Sequence, residues 1–427
     1  MIPAALNGFW PLLQLADPQR EPSTGVFLIA TLIKLVLVFT IYMVSVALLT
    51  LAERKVAAWI QDRRGPNRTG PGGLLQPAAD GLKNFMKEEH LPTEANRGIF
   101  MLAPAISFIT ALTVWAVIPF GAPLPTPWGL IDLQLANVPI GYLFIVGVAS
   151  LGAYGLVLAG WSSNNKYALL GGLRASAQMV SYEIGLGMSI IPILLLTGNV
   201  TFNSIIAQQA TGVWNIINLT FAFFTFMISA FAETNRLPFD MPEAEAELVA
   251  GYHTEYSSMK FSMFFIAEYA AMITMSALMA TLFFGGWDIP FTQWDNTAPW
   301  TVLKSLATVA AFVLKTGFFL FVYMWIRWTL PRFRYDQLMS LGWRVILPLI
   351  LVYIILIASA LLAMQQAGIQ SPRMQGVVFF VINLVVLGVV FLALDRGRIV
   401  GPTTSRTARV PVDRATGRRI VPQEAGD

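Results

Sequence analysis

The chain has 427 residues, of which 56% are hydrophobic and only 12% charged, with a formal charge of +4. Soluble domains carry about 25% charged residues, so a water-soluble globule is excluded and a multi-span membrane protein, with lipid as its solvent, is expected. There is no cysteine and there are two histidines, His90 and His253, both in polar stretches, so disulfides, thiolate zinc sites and iron–sulfur ligation are excluded, and no metal or redox cofactor is expected on the chain itself.

No Lys or Arg precedes Arg20, so the start lacks the charged region of a signal peptide. Residues 1–25, with Phe9, Trp10, Leu12, Leu13 and Leu15, read as a short interfacial extension. About 20 apolar residues cross a bilayer as a helix. Stretches that qualify fall at roughly 26–51, 99–119, 140–160, 177–198, 216–233, 261–284, 301–325, 344–363 and 377–394. The expected fold class is all-α, a polytopic transmembrane helix bundle of about nine spans. Residues 26–363 form an eight-span core, 377–394 add a ninth span, and 395–427 form a basic, polar tail that is expected to be poorly ordered. No strand alternation of a barrel and no internal repeat is visible.

An odd number of spans puts the termini on opposite sides. With the N-terminus outside, nearly all of the 28 basic residues fall in inner segments; only Arg20 and Arg373 are outside, and Lys34, Lys304 and Lys315 lie within spans. The positive-inside rule therefore gives an N-out, C-in orientation. The outer loops 120–139 and 285–300 are rich in Pro and Gly, lack Lys and Arg, and read as compact turns.

The inner segments hold the ionisable groups. After Glu53-Arg54-Lys55 and the basic, glycine-broken run to Gly73, the residues Leu75, Ala78, Ala79, Leu82, Phe85 and Met86 recur at helical spacing. Asp80, Lys83 and Lys87 lie opposite, as in an amphipathic helix at the membrane surface. Next comes Trp161-Ser-Ser-Asn-Asn-Lys-Tyr167, followed by a helix expected to start near Gly172. That start puts Glu183 roughly 16 Å along the helix, and a carboxylate inside a membrane marks function by default. The third segment runs Glu233-Thr-Asn-Arg-Leu-Pro-Phe-Asp-Met-Pro-Glu-Ala-Glu-Ala-Glu247. Asp240 suits a helix N-cap, with Pro242 and Glu243 in the first turn. Glu243 and Glu247 share a face, Glu245 points elsewhere, and Glu255 and the intramembrane Glu268 follow. Crowded carboxylates in a partly dry setting cannot all ionise, and such groups suit proton transfer. A solvated acidic helix start explains Glu243 equally well, but not Glu233 or Glu268. In the last segment Arg327, Arg332 and Arg334 are available to neutralise these carboxylates. Lys315 lies too deep in its span to be explained by snorkelling, unlike Lys34 and Lys304.

Four strings carry a resemblance: AERKVAAWIQDRRGPNRTGPGGLLQPAADGLK, GWSSNNKYALLGGLRASAQMVSYEI, ETNRLPFDMPEAEAELVAGYHTEYS and WTLPRFRYDQLM. Over roughly 26–363 the chain resembles the family of the quinone-chamber membrane subunit, or H subunit, of bacterial NADH:quinone oxidoreductase, respiratory complex I, equivalent to mitochondrial NADH dehydrogenase subunit 1. The resemblance implies a membrane subunit whose inner loops wall a quinone cavity open to lipid, and whose carboxylates couple quinone reduction to proton movement. It implies coupling roles for Glu183, Glu233, Glu243, Glu245, Glu247 and Glu268. It makes Arg54, Arg236, Arg327, Arg332, Arg334 and Lys315 their charge partners, and places Glu53, Asp80, Arg63, Phe239 and Asp240 at the cavity. No catalytic residue, metal or cofactor is implied on this chain. Quinone is the substrate of the complex, with iron–sulfur clusters and FMN in partner subunits. The implied partners are the peripheral-arm subunits carrying the terminal cluster, small and antiporter-like membrane subunits, quinone and lipid, with no nucleic acid. The implied location is the cell inner membrane, with cytoplasmic loops facing the peripheral arm. The alternatives are the equivalent subunit of a ferredoxin- or deazaflavin-linked dehydrogenase or of a membrane-bound hydrogenase, and a free-standing ion transporter.

Overall fold

In a computed structural model the described residues are 23–241, 251–290, 292–368 and 371–395. The first helix, α1 (Thr24–Ile60), is followed by the short α2 (Gln76–Met86), α3 (Arg97–Thr113), a hairpin of β1 (Gly121–Thr126) and β2 (Gly129–Leu133), α4 (Gly141–Ser162) and α5 (Lys166–Thr197). Then come α6 (Phe202–Thr211), the single turn α7 (Asn215–Asn218), α8 (Thr220–Glu233), α9 (Ser258–Phe283) and α10 (Val302–Thr329). A six-residue turn α11 (Tyr335–Ser340) leads through a π-helical segment, Leu341–Ile346, into α12 (Leu347–Gln366), and α13 (Pro372–Asp395) is last. The protein is mainly helical, as expected.

Lipid accounts for the uniform greasiness of the long helices. In α1 the buried positions Val38, Tyr42, Val46, Leu49, Glu53 and Val56 recur every three or four residues. The remaining faces expose Leu32, Ile33, Val36 and Phe39. In water those faces would be polar. The stripe shows up here as burial, not as hydropathy, because the outer solvent is itself apolar.

Among the described residues eight helices, with α11 and α12 taken together, are long and apolar enough to cross a membrane. The fifth of the nine expected stretches, 216–233, is instead the 14-residue α8. Its rise is about 21 Å, short of the roughly 30 Å hydrocarbon core. Asn215 and Asn218 cause the break. Both are buried, and Asn215 donates to the Leu282 carbonyl (2.9 Å) while Asn218 donates to that of Val213 (3.1 Å). Leu219 between them and α8 leaves helical geometry, at φ −135° and ψ 46°.

Two further expectations change. The 120–139 loop is not a set of turns but contains the antiparallel β1–β2 pair. Its edge is tied to α10 where Ala122 N–H donates to Thr308 Oγ1 (3.0 Å) and Ser305 Oγ donates to the Pro123 carbonyl (2.8 Å). Helix α5 begins at Lys166, not near Gly172, because Asn165 caps it by accepting from Tyr167 N–H (2.9 Å). Glu183 therefore lies about 25 Å along the helix. Gly171 and Gly172 do not start the helix; they let neighbours approach. A Cβ at Gly171 would sit 2.7 Å from the backbone of Gly251, and one at Gly172 would sit 3.0 Å from the Leu156 carbonyl.

Helix α2 is amphipathic, as its spacing indicates. It buries no residue and exposes Leu82, Phe85 and Met86. By contact the chain divides into Met1–Phe380 and Val381–Asp427, and the candidate site described below lies in the first unit. Its two ends differ. At the hairpin end Lys34 donates to the carbonyls of Asp132 (3.1 Å) and Gln134 (2.8 Å). At the other, carboxylate end, α1, α8, α9 and α10 bring their charged residues together.

Candidate functional site: a buried ionic cluster with cavities on both sides

Four elements meet at Glu53, which is 4% exposed near the end of α1. Arg236, in the loop after α8, donates through Nη1 to Glu53 Oε1 (3.1 Å), and its Nε pairs with Glu268 of α9. Arg327 of α10 pairs with the same Glu53 oxygen. Tyr269 of α9 donates its hydroxyl to Glu53 Oε2 (2.5 Å), and its ring lies 4.3 Å from the Arg236 guanidinium. Moving charges out of water costs several kcal/mol per ion. Two carboxylates against two guanidiniums, with a phenol completing Glu53, make burial tolerable here.

Arg236 is aimed by its loop. Asn235 takes a left-handed conformation, φ +50°, which asparagine tolerates. Gln178 of α5, fully buried, donates through Nε2 to Ala232 O (2.8 Å), Phe239 O (2.8 Å) and Asn235 Oδ1 (3.1 Å). Phe239 stacks on Phe333 with centroids 5.5 Å apart, and Phe333 N–H donates to the Pro238 carbonyl (3.1 Å). Arg332 then pairs with Asp240 at 2.8 Å.

Behind the cluster is a cavity of about 100 Å³ whose lining includes Ser107, Thr110, Glu233, Glu268 and Thr274. Glu233 is buried at the end of α8, and its Oε2 has no hydrogen-bond partner. A second void of about 10 Å³, near the size of one water site, touches both Glu233 and Glu183. The three carboxylates thus follow one another, Glu268 and Glu233 across one space and Glu233 and Glu183 across the next.

In front of the cluster a groove of about 740 Å³ opens between α1, α2 and α9. Val46, Leu82, Phe85, Phe265, Ile266 and Tyr269 form part of its wall, and Arg54 and Asp80 lie on it. Arg54 donates to Asp80 Oδ2 (2.6 Å), joining α1 to α2.

Glu53, Arg236, Arg327, Glu268, Glu233 and Glu183 are therefore gathered, and Asp80 with Arg54 stands at the groove. Others are apart. Arg63 donates to Gln61 Oε1 (2.7 Å), and Arg334 pairs with Asp336 at 3.6 Å on the surface. Lys315 lies toward the hairpin end and donates to the carbonyls of Phe284 (2.6 Å), Gly286 (3.0 Å) and Asp288 (2.5 Å). Glu243, Glu245 and Glu247, with the capping turn at Pro242, lie outside the described residues. Two members escaped the sequence reading. Tyr269 had a signal, since it follows an intramembrane glutamate; Gln178 is one amide in an apolar helix and had none.

The fold and site define a polytopic helical membrane protein that carries a buried chain of ionisable groups at one end. A sequence model of the NADH dehydrogenase family matches residues 33–358. The chain is 49% identical over 340 residues to the first of the NADH-quinone oxidoreductase H subunits of Cytophaga hutchinsonii, covering 79% of this chain and 98% of that protein. It is 50% identical over 326 residues to the NADH-quinone oxidoreductase H subunit of Leptospira biflexa, covering 74% and 90%. It is also 50% identical over 337 residues to NADH-ubiquinone oxidoreductase chain 1 of Chondrus crispus, covering 79% and 98%. The chain belongs to the family of NADH-quinone oxidoreductase H subunits.

Proposed function

We propose that the chain is the membrane subunit of a proton-translocating NADH:quinone oxidoreductase that admits quinone from lipid and couples its reduction to proton transfer. The observation that carries this reading is a groove, an ionic cluster and two inner spaces that follow one another through shared residues. The mainly apolar groove of about 740 Å³ has Tyr269 in its wall, Tyr269 bonds Glu53 of the ionic cluster, and the two inner spaces share Glu233 and reach Glu268 and Glu183. Tyr269 lines the groove and bonds Glu53, so a change of charge beside it is felt at Glu53 directly and at Glu268 through Arg236. The unpartnered Glu233 oxygen then receives or passes a proton through water in the adjoining spaces. The electrons reach quinone from iron–sulfur and flavin centres of partner subunits and do not pass through this chain.

The basic residues support an N-out, C-in orientation in the cell inner membrane, with the carboxylate end cytoplasmic and facing the peripheral arm. Small and antiporter-like membrane subunits are the proposed lateral partners. The family match stops at residue 358, so the last span, 377–394, and the tail, 395–427, are proposed as additions that meet lipid or a neighbouring subunit. Co-purification of an NADH–flavin subunit separates this reading from a ferredoxin-linked or hydrogenase complex.

A photoreactive quinone analogue tests the groove. In the assembled complex its adducts should map to α1, α2 and α9 near Phe85, Phe265 and Tyr269, and excess quinone should suppress them. Adducts confined to other faces of the chain would refute the proposed route.

A further inference from the structure

The polar interior is not continuous across the bundle. Phe223 of α8 lies at the centre of an aromatic block, with ring centroids 5.3 Å from Phe283, 5.7 Å from Phe284 and 6.0 Å from Phe319. Phe284 and Phe319 are 5.0 Å apart edge to face, and Phe226 is 5.5 Å from Phe283. Phe226 and Phe283 are fully buried and Phe319 nearly so. Three different elements thus contribute rings to one layer.

Polar groups flank this layer on both sides. Toward the carboxylate end are Glu233 and the buried hydroxyls of Ser229 and Ser276, which lack hydrogen-bond partners, and the cavity beside Glu233 and Glu268. Toward the hairpin end are Lys315, Trp214 over its ammonium at 4.3 Å, and Asp288, which accepts from Trp214 Nε1 (2.9 Å) and Asn296 Nδ2 (2.6 Å). Beyond them a pocket of about 290 Å³ has Asp132, Gln134, Asn203 and Asn296 in its wall. The Trp214 ring is only 6.1 Å from Phe284, so this polar group sits directly on the layer.

Two helices give the same spacing between the rings and the carboxylate-side hydroxyls. Phe223 precedes Ser229 by six residues on α8, about 9 Å, and Phe283 follows Ser276 by seven on α9, about 10 Å. The rings thus stand about 9–10 Å from those hydroxyls, and the two intervening polar side chains, Thr225 and Thr281, are buried and donate to carbonyls of their own helices, Ala222 (2.9 Å) and Ala277 (2.8 Å). Such a layer excludes water only if it is filled, and interlocked edge-to-face rings fill it without adding a strong hydrogen-bond acceptor of their own.

We propose that Phe223, Phe283, Phe284 and Phe319 form a dry seal that keeps protons held by the carboxylates from crossing the membrane through this chain. Protons gathered at Glu183, Glu233 and Glu268 then leave only sideways or back, and the hairpin-end pocket exchanges with the opposite side alone. The seal is a function of its own. It needs only that the chain spans a membrane, and it stands or falls independently of the quinone route.

The test uses the purified complex in sealed liposomes, with no turnover, and follows decay of an imposed pH gradient under a potassium–valinomycin clamp. Phe223→Asn and Phe319→Asn place an amide inside the layer; Phe223→Leu and Phe319→Leu keep it apolar and act as assembly controls. The proposal expects several-fold faster proton decay in whichever Asn variant assembles, with decay near that of the unmodified complex in the Leu variants. Gradient decay unchanged in an assembled Asn variant overturns the proposal. Equal leak from Leu and Asn variants also overturns it, because loose packing and not wetting would then be the cause. Should neither Asn variant assemble, Phe223→Tyr together with Phe319→Tyr adds two hydroxyls at nearly constant shape and is held to the same two outcomes. Quinone-dependent NADH oxidation, measured in parallel on the same preparations, separates a leak from a loss of the coupled reaction.

Discussion

Replacing Arg236 by methionine removes the cation between Glu53 and Glu268 while keeping the aliphatic bulk. Glu53 still has Arg327 and the Tyr269 hydroxyl, so the loss falls mainly on Glu268. Breaking a buried ion pair by removing one member costs about 3–5 kcal/mol, because a charge is left in a low-dielectric site. The guanidinium's stacking on Tyr269 is part of the same loss. At 1.36 kcal/mol per decade this is more than about a hundredfold in the folded-to-unfolded ratio. Arg236→Met is therefore expected to lower sharply both the amount of assembled complex in membranes and its thermal midpoint. Adding Glu268→Gln neutralises the affected carboxylate and should restore about 1–3 kcal/mol as a coupling energy in a double-mutant cycle. Strictly additive losses in the two single variants would refute the reasoning, as would an Arg236→Met complex as stable as the parent.

Other outcomes follow from single contacts. Gln178→Leu keeps the volume but leaves the Ala232 and Phe239 carbonyls without their donor, at about 1–3 kcal/mol, and should speed amide exchange across 234–241 before it affects distant helices. Tyr269→Phe removes a hydrogen bond to a charged group, about 1.5–3 kcal/mol, and should lower quinone-dependent turnover more than turnover with an artificial acceptor. Burial holds the Asp288 carboxyl above its ordinary range despite the Trp214 and Asn296 donors. A carboxyl raised on folding contributes stability below its unfolded value and loses that contribution as pH rises through the folded value. The 285–300 loop should thus resist proteolysis better in mild acid than at neutrality, and Asp288→Asn should flatten that dependence.

The sequence makes the spans legible because lipid contact rewards apolar residues on every face, and it makes the ionisable residues conspicuous because so few are present. It misleads where a local polar contact overrides hydropathy. Asn215 and Asn218 shorten a stretch that reads as a full span, and the glycines at 171 and 172 look like a helix boundary but serve close helix approach. The Pro-rich 120–139 segment hides a hairpin because prolines at a strand edge resemble turn residues. Within the site, Glu53, Glu233 and Glu268 announce themselves by being charged in an apolar context. That Glu53 sits at the centre of the ionic cluster, and that Lys315 faces the other end, depends on helix rotation, which a stripe invisible to hydropathy does not reveal.

The central claim is that Glu233 relays protons between the ionic cluster and Glu183. The most direct measurement is Glu233→Gln in an otherwise intact complex, with quinone-dependent NADH oxidation and reduction of a hydrophilic artificial acceptor assayed side by side. Quinone-dependent turnover is expected to fall while the acceptor reaction and the subunit complement persist. Full retention of both activities would contradict it.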